Sequence, residues 1–311
     1  MIRTVTLLIF SIVAVHLCGQ EHIRVFRDKS DTTFNSYYLI LPESGTPAGM
    51  IIRDYSKLPP KGKKSRYKWM DLAIQENLAV LITCTSNYFP ELYYHDDPIE
   101  LLDEIVNEVV SKYSIPKQNL FVGGISASGT RALQYEKYLQ KGLSKFNTEL
   151  VGVFIVDSPL DFERFYESAK DIKKRKHPKG MNQEAEWMIR IFPEKFGEYE
   201  KNKETYRLQS VFSHQLQDGG NATYFKSTPI LAFHEPDMEW WLNERNAVYT
   251  DINSFDIVGF ERALKNLGNK DVTVIATREK GFDKAGNRNC HSWTIVDEPL
   301  LIAWIKERIR N

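Results

Sequence analysis

One stretch limits what this chain can fold into more than any other: Asn119-Leu-Phe-Val-Gly-Gly-Ile-Ser-Ala-Ser-Gly-Thr130. Leu120 to Val122 is a short apolar run of the kind a buried strand requires. It ends in Gly123 and Gly124, and the residues from Thr130 to Leu139 then carry a helical pattern. A strand that becomes a helix within so few residues leaves Ser126 on a tight, strained turn. Such a turn closes only if the residues two before and two after the serine are small, as Gly124 and Ser128 are. The expected result is a hydroxyl lifted above a sheet edge, with the next helix N-terminus aimed at any oxyanion that forms. A Gly-rich turn that binds phosphate, or only packs closely, is the competing reading. No Gly-Lys-Ser/Thr ending follows, so a nucleotide loop is not supported.

The flanking sequence supplies a sheet for that turn to sit on. His22 to Arg27 and Ser36 to Leu41 alternate in period two and read as strands joined by a polar turn. Pro47 to Ile52 and Leu78 to Thr83 are continuous apolar runs, hence strands buried on both faces. Between them a Pro-, Gly- and Lys-rich loop, Lys57 to Lys64, leads to a helical pattern over Arg66 to Asn77. Asp97-Pro98 opens an amphipathic helix that runs to Tyr113. Leu150 to Val156, Thr228 to Phe233 and Asp271 to Ala276 complete eight strands, and Pro299 to Arg310 reads as the closing helix. Strands alternating with helices predict an α/β class with a mainly parallel, eight-stranded sheet covered on both faces. Residues 158–227, between the sixth and seventh strands, form an insertion with helical patterning at Phe162 to Ile172 and Glu184 to Phe192.

Several function classes drop out on composition. The 41 basic and 41 acidic residues cancel and no long basic tract exists, so nothing points to nucleic acid. The Lys170 to Lys179 run reads as solvated surface, with an anionic substrate as the minority reading. No Cys-x-x-Cys or His-rich spacing suggests a metal, and no cofactor motif is present. Met1-Ile-Arg3 followed by the apolar Val5 to Val15 predicts a signal peptide over 1–19, with Gln20 the mature N-terminus. The expected location is therefore secreted or periplasmic; lipid attachment at Cys18 is disfavoured by the bulk of Leu17. No later stretch is long and apolar enough for a membrane helix. Residues 20–311 read as a single domain, and Cys84 and Cys290 as either a disulfide or two buried thiols.

The elbow, the strand order around it and the loops after the last two strands together resemble the α/β-hydrolase superfamily over nearly the whole of 20–311. The resemblance implies a serine nucleophile, then an acid, then a histidine, in that chain order. Ser126 takes the first role. Asp237, a few residues beyond the strand ending at Phe233, stands where the family places its acid; Glu235, Glu239 and Asp157 are its rivals. The competing reading of Asp237 is a helix N-cap. His291, on the loop after the last strand, stands where the family places its base. The oxyanion donors implied are the backbone N–H of Ala127 and, from the loop after the third strand, the N–H or hydroxyl of Tyr55. That loop lacks the His-Gly pair the family often carries there. The insertion becomes a helical cap, whose aromatics either shape a pocket or form its own core. His234, Trp240, Trp241 and Trp293 are candidate pocket residues. The implied activity is hydrolysis of a small-molecule or glycan carboxylic ester through an acyl-enzyme, without metal or cofactor. A serine peptidase of the same fold, or a catalytically silent binding protein, are the alternatives.

Overall fold

The computed structural model describes residues 21–43, 45–60, 68–175 and 181–310. The predicted signal segment 1–19, Cys18 and part of the basic run lie outside them. Eight strands form one sheet: β1 (His22–Phe26), β2 (Ser36–Ile40), β3 (Gly49–Asp54), β4 (Leu78–Cys84), β5 (Leu120–Ile125), β6 (Gly152–Val156), β7 (Ile230–His234) and β8 (Val272–Ala276). Their spatial order is β1-β2-β4-β3-β5-β6-β7-β8. β2 runs antiparallel to both its neighbours, and every other pairing is parallel. The apolar runs explain this arrangement. β3, β4, β6 and β7 are buried at every residue, as strands covered by helices on both faces must be. The half-exposed β1 lies at one edge, beside β2.

Nine α-helices are described: α1 (Lys68–Gln75), α2 (Asp97–Lys112), α3 (Ala127–Gln140), α4 (Phe162–Arg175), α5 (Met181–Phe196), α6 (Tyr199–Gln209), α7 (Met238–Arg245), α8 (Asn253–Asn266) and α9 (Glu298–Lys306). Ile105, Val106, Val109 of α2, Leu133 of α3 and Phe260 of α8 pack with Leu120 and Val122 on one face of the sheet. Trp69 and Ala73 of α1 pack with Leu301 and Ile305 of α9 and with Phe121 on the other. The expected doubly covered sheet is therefore present. Among the described residues no helix is long and apolar enough to cross a membrane. Cys84 and Cys290 are separate buried thiols, not a disulfide.

The chain departs from expectation most usefully at the elbow. β5 does not stop at Val122 but continues to Ile125, paired with β6 through Gly123 opposite Phe154 and Gly124 opposite Ile155. A Cβ on Gly123 would lie 2.4 Å from the Phe154 side chain. Here glycine permits close approach rather than ending the strand. α3 likewise begins at Ala127, three residues earlier than its apolar pattern suggests. α6 and α8 are not anticipated by the sequence reading; α8 carries Gly259 in its interior, which weakens a helical pattern.

The insertion between β6 and β7 folds as α4, α5 and α6 around an aromatic cluster of its own. Phe162, Tyr166 and Phe192 are buried in that cluster, beside Tyr199 and Tyr206 from α6. Most of its aromatics thus serve as core, and Trp187 and Phe165 are left to face cavities. The described part of the basic run is surface: Lys170, Lys173 and Lys174 pair with Glu200, Glu186 and Asp171.

Candidate active site

Ser126 sits between β5 and α3 with φ 54° and ψ −132°. A positive φ is costly for a residue with a Cβ and persists only where its surroundings enforce it. Here the Ser126 N–H donates to the Val156 carbonyl at 2.9 Å, and the Ser126 carbonyl accepts from Gly129 and Thr130. A Cβ on Gly124 would lie 2.3 Å from the Ser128 Oγ, so the position two before the serine admits no side chain. Ser128 does more than stay small: its hydroxyl donates to the Asp54 carbonyl at 2.6 Å, tying the turn to the end of β3. The Ala127 amide belongs to the first turn of α3, where N–H groups have no partner within the helix.

Ser126, Ala127 and Tyr55 line a cavity of about 740 Å³, together with Phe89 and the α5 residues Glu184 and Trp187. The Tyr55 N–H donates to the Thr83 carbonyl at 3.0 Å and is spent in the sheet. It is not an oxyanion donor in this arrangement, and the sequence-based assignment of that amide is corrected. The Tyr55 ring lies beneath the Arg53 guanidinium, 4.8 Å from its centroid, as part of the wall.

His291 lies on the loop after β8, and its ring is bonded not to Asp237 but to Asp157. His291 Nδ1 lies 2.6 Å from Oδ2 of Asp157, the residue that follows β6. Asp157 is fully buried, with φ 42°. Its N–H donates to the Phe233 carbonyl and its own carbonyl accepts from the Asn253 amide, both at 2.9 Å. This is a second strained residue at a strand end, held from β7 and α8. Burial works against the His291 imidazolium, but the hydrogen bond and charge of Asp157 outweigh it and raise its pKa above the ordinary value. With Nδ1–H given to the carboxylate, Nε2 is the nitrogen left to accept a proton.

Asp237 stands apart from His291. Its Oδ1 accepts the Trp240 N–H at 3.1 Å, capping α7, and its Oδ2 accepts from Arg288 at 2.5 Å. The cap and the guanidinium hold its carboxyl below the usual range. Glu235 is buried and bonded to Arg288 at 2.8 Å and to Thr277, while Glu239 is exposed in the first turn of α7. Glu235, Asp237 and Cys290 place donor atoms within 4.8 Å of one another. Arg288 bonds both carboxylates, so the positive charge a cation would bring is already supplied. Sequence reasoning did not single out Arg288, and spacing carries no signal for it.

Of the four candidate pocket residues, only Trp241 faces a cavity beside His291. That cavity, about 220 Å³, is walled by Phe165, Glu184, Trp241, Arg245 and Asn253. Glu184 is shared with the Ser126 cavity, so the two spaces adjoin along α5. Trp240 packs edge-on against Trp241. Trp293 is buried over Arg53, 4.2 Å from its centroid, and lines neither space. His234, the last residue of β7, is buried and also lines neither; burial lowers its pKa.

No protein-family model and no curated protein sequence matches the chain. Solved structures do. A carboxyl esterase from the fungus Tuber melanosporum superposes with a TM-score of 0.59 at 12% identity, over 96% of this chain and 90% of that one. A fungal esterase from Rhizomucor miehei gives 0.54 at 14% identity, over 94% and 84%. The Pyrococcus horikoshii acylaminoacyl peptidase gives 0.58 at 16% identity over 93% of this chain, which spans only 42% of the peptidase. Strand order, elbow and these superpositions agree: the chain has the fold of the α/β-hydrolase superfamily.

Proposed function

We propose that the protein is a serine hydrolase that cleaves carboxylic esters, with Ser126 as nucleophile, His291 as general base and Asp157 as the acid. The observation that carries this reading is the bond between His291 Nδ1 and the buried Asp157 carboxylate, at the end of the strand next to the one that ends in the strained serine. A serine hydroxyl is a poor nucleophile at neutral pH and needs a neutral imidazole to take its proton during attack. His291 would accept that proton on Nε2 and return it to the leaving alcohol. Asp157 would hold the tautomer and stabilise the imidazolium. The Ala127 N–H serves as one oxyanion donor. The second would come from the cavity wall, where the Ser56 amide is the next along from Tyr55.

Apolar and aromatic groups dominate the cavity wall and suit an acyl or aryl group. The Glu184 carboxylate between the two cavities favours a second reading, a peptidase acting beside a cationic substrate group. A fluorophosphonate probe separates enzyme from silent fold: folded wild type takes the label and Ser126→Ala does not. Equal labelling of the two, or none of either, would sink the enzyme reading. Turnover of short p-nitrophenyl esters without turnover of aminoacyl nitroanilides then selects esterase over peptidase.

The raised pKa of His291 sets a pH dependence. The base works only when neutral, so kcat/KM falls as pH drops through that pKa. Its acid limb is expected above pH 6.5, the ordinary histidine value. In Asp157→Asn, which loses the stabilising charge, the limb shifts to lower pH. A kcat/KM profile from pH 5 to 9 measures both.

A further inference from the structure

We propose that a second cavity, at the C-terminal end of α3, binds a small organic carboxylate through Lys137, with Lys141 at its mouth. This site is independent of the Ser126 chemistry and lies roughly 16 Å along the helix from it. The cavity is about 400 Å³, the size of a small-molecule site. Lys137 lines it and is only 7% exposed. Among the described residues its ammonium has no hydrogen-bond acceptor and no ion-pair partner. Burying a cation without a partner is expensive, so such a group is expected to be met by an anion.

Three of the neighbouring polar side chains are committed elsewhere. Gln134 donates to the Gln209 carbonyl at 2.8 Å, Asn221 donates to the Leu208 and Ser210 carbonyls at 2.7 Å, and the Tyr138 hydroxyl donates to the Leu143 carbonyl at 2.9 Å. Two cations thus remain for a ligand, one deep and one exposed, the latter 5.4 Å from the Tyr224 ring. Ile99, Leu143 and Leu208 supply apolar wall. The rest of the wall is mainly polar, and one deep charge suits a monoanion such as a carboxylate better than a dianion such as phosphate.

The charges around Lys137 support the assignment. Burial, and then the like charge of Lys141, bring its pKa down to about 7, while Asp96, exposed at the rim, pulls the other way. Asp96, Tyr93 and Tyr224 face it from other elements, and Tyr138 from α3 itself. Burial pushes Tyr93 well up and Tyr138 to about 12, so both stay neutral. A bound carboxylate favours the ammonium form. Binding above pH 7 must therefore take up a proton, and affinity must weaken as pH rises.

Calorimetric titration of the full chain with benzoate tests this, in HEPES and in Tris at pH 6 and pH 8. Wild type is expected to bind one benzoate tenfold or more tighter than Lys137→Met, with uptake approaching one proton at pH 8 and near none at pH 6. Inorganic phosphate is expected to bind more weakly than benzoate. A smaller difference between wild type and variant, no saturable benzoate binding, the same proton uptake at both pH values, or tighter binding of phosphate would each overturn the proposal. Lys137→Met removes an unpaired buried charge and is expected to fold with a raised Tm. Lys137→Gln, which keeps polarity without charge, is the second variant and should lose benzoate equally.

Discussion

Asp157→Asn is expected to lower kcat by about 10⁴-fold with little change in KM, whereas Asp237→Asn changes kcat by less than about tenfold. The asymmetry follows from what each carboxylate touches. An asparagine amide at 157 can present its N–H to His291 Nδ1, forcing the imidazole proton onto Nε2. The nitrogen that should accept the serine proton is then already protonated. Asp157 is fully buried, so no water can easily take its place beside the ring. Asp237, by contrast, accepts from the Trp240 amide and from Arg288. Asparagine can still cap α7, so the variant loses mainly the ion pair with Arg288, and that loss should appear in the denaturation midpoint rather than in turnover. Steady-state kinetics on a p-nitrophenyl ester, with urea melts of both variants, separate the two effects. A 10⁴-fold loss in Asp237→Asn beside an active Asp157→Asn would return the acid to the loop after β7.

The contrast between these two carboxylates also marks how far the sequence could be read. All eight strands were legible because each is a short run of apolar or alternating residues between turn signals. The elbow was legible because sterics permit few residues at 124 and 128. His291 was legible because one loop after the last strand holds one histidine. The carboxylate bonded to His291 was not: Asp157 and Asp237 each follow a strand, and nothing local says which one reaches an imidazole 134 or 54 positions further along the chain. What decides it is tertiary. Arg288 folds back to bond Asp237 and Glu235, and Asn253 and Phe233 fix the strained backbone of Asp157. The Tyr55 amide was misjudged for the same reason, since strand pairing with Thr83 claims it. Pairings between distant residues leave no periodicity to read.

The largest stability effect is expected at a pair that spacing also concealed, Asp54 at the end of β3 and Arg131 in α3. Both are only 3% exposed, and their side chains lie 2.8 Å apart. Arg131 also donates to the Asp54 carbonyl at 2.8 Å, and Thr83 and Thr85 donate to the carboxylate. Arg131→Met would leave that carboxylate buried without its cation, a loss of about 3–5 kcal/mol near pH 8, or roughly 10²–10⁴-fold in the folding equilibrium. Burial already raises the Asp54 pKa, with Arg131 as the largest opposing influence, so without Arg131 it rises further. A carboxyl whose folded pKa lies above its unfolded value favours folding when protonated, and that advantage is lost as pH rises. The deficit of Arg131→Met should therefore shrink between pH 8 and pH 5, as urea melts at several pH values would register. Adding Asp54→Asn removes the stranded charge and should recover most of the loss, since replacing both partners of a buried pair costs far less than removing one. A pH-independent deficit, or no recovery in the double variant, would mean that Arg131 acts through packing alone. Because the pair joins the β3 end, with its Tyr55 wall, to the helix that begins at the elbow, the single variant should also lose turnover at temperatures where it remains folded.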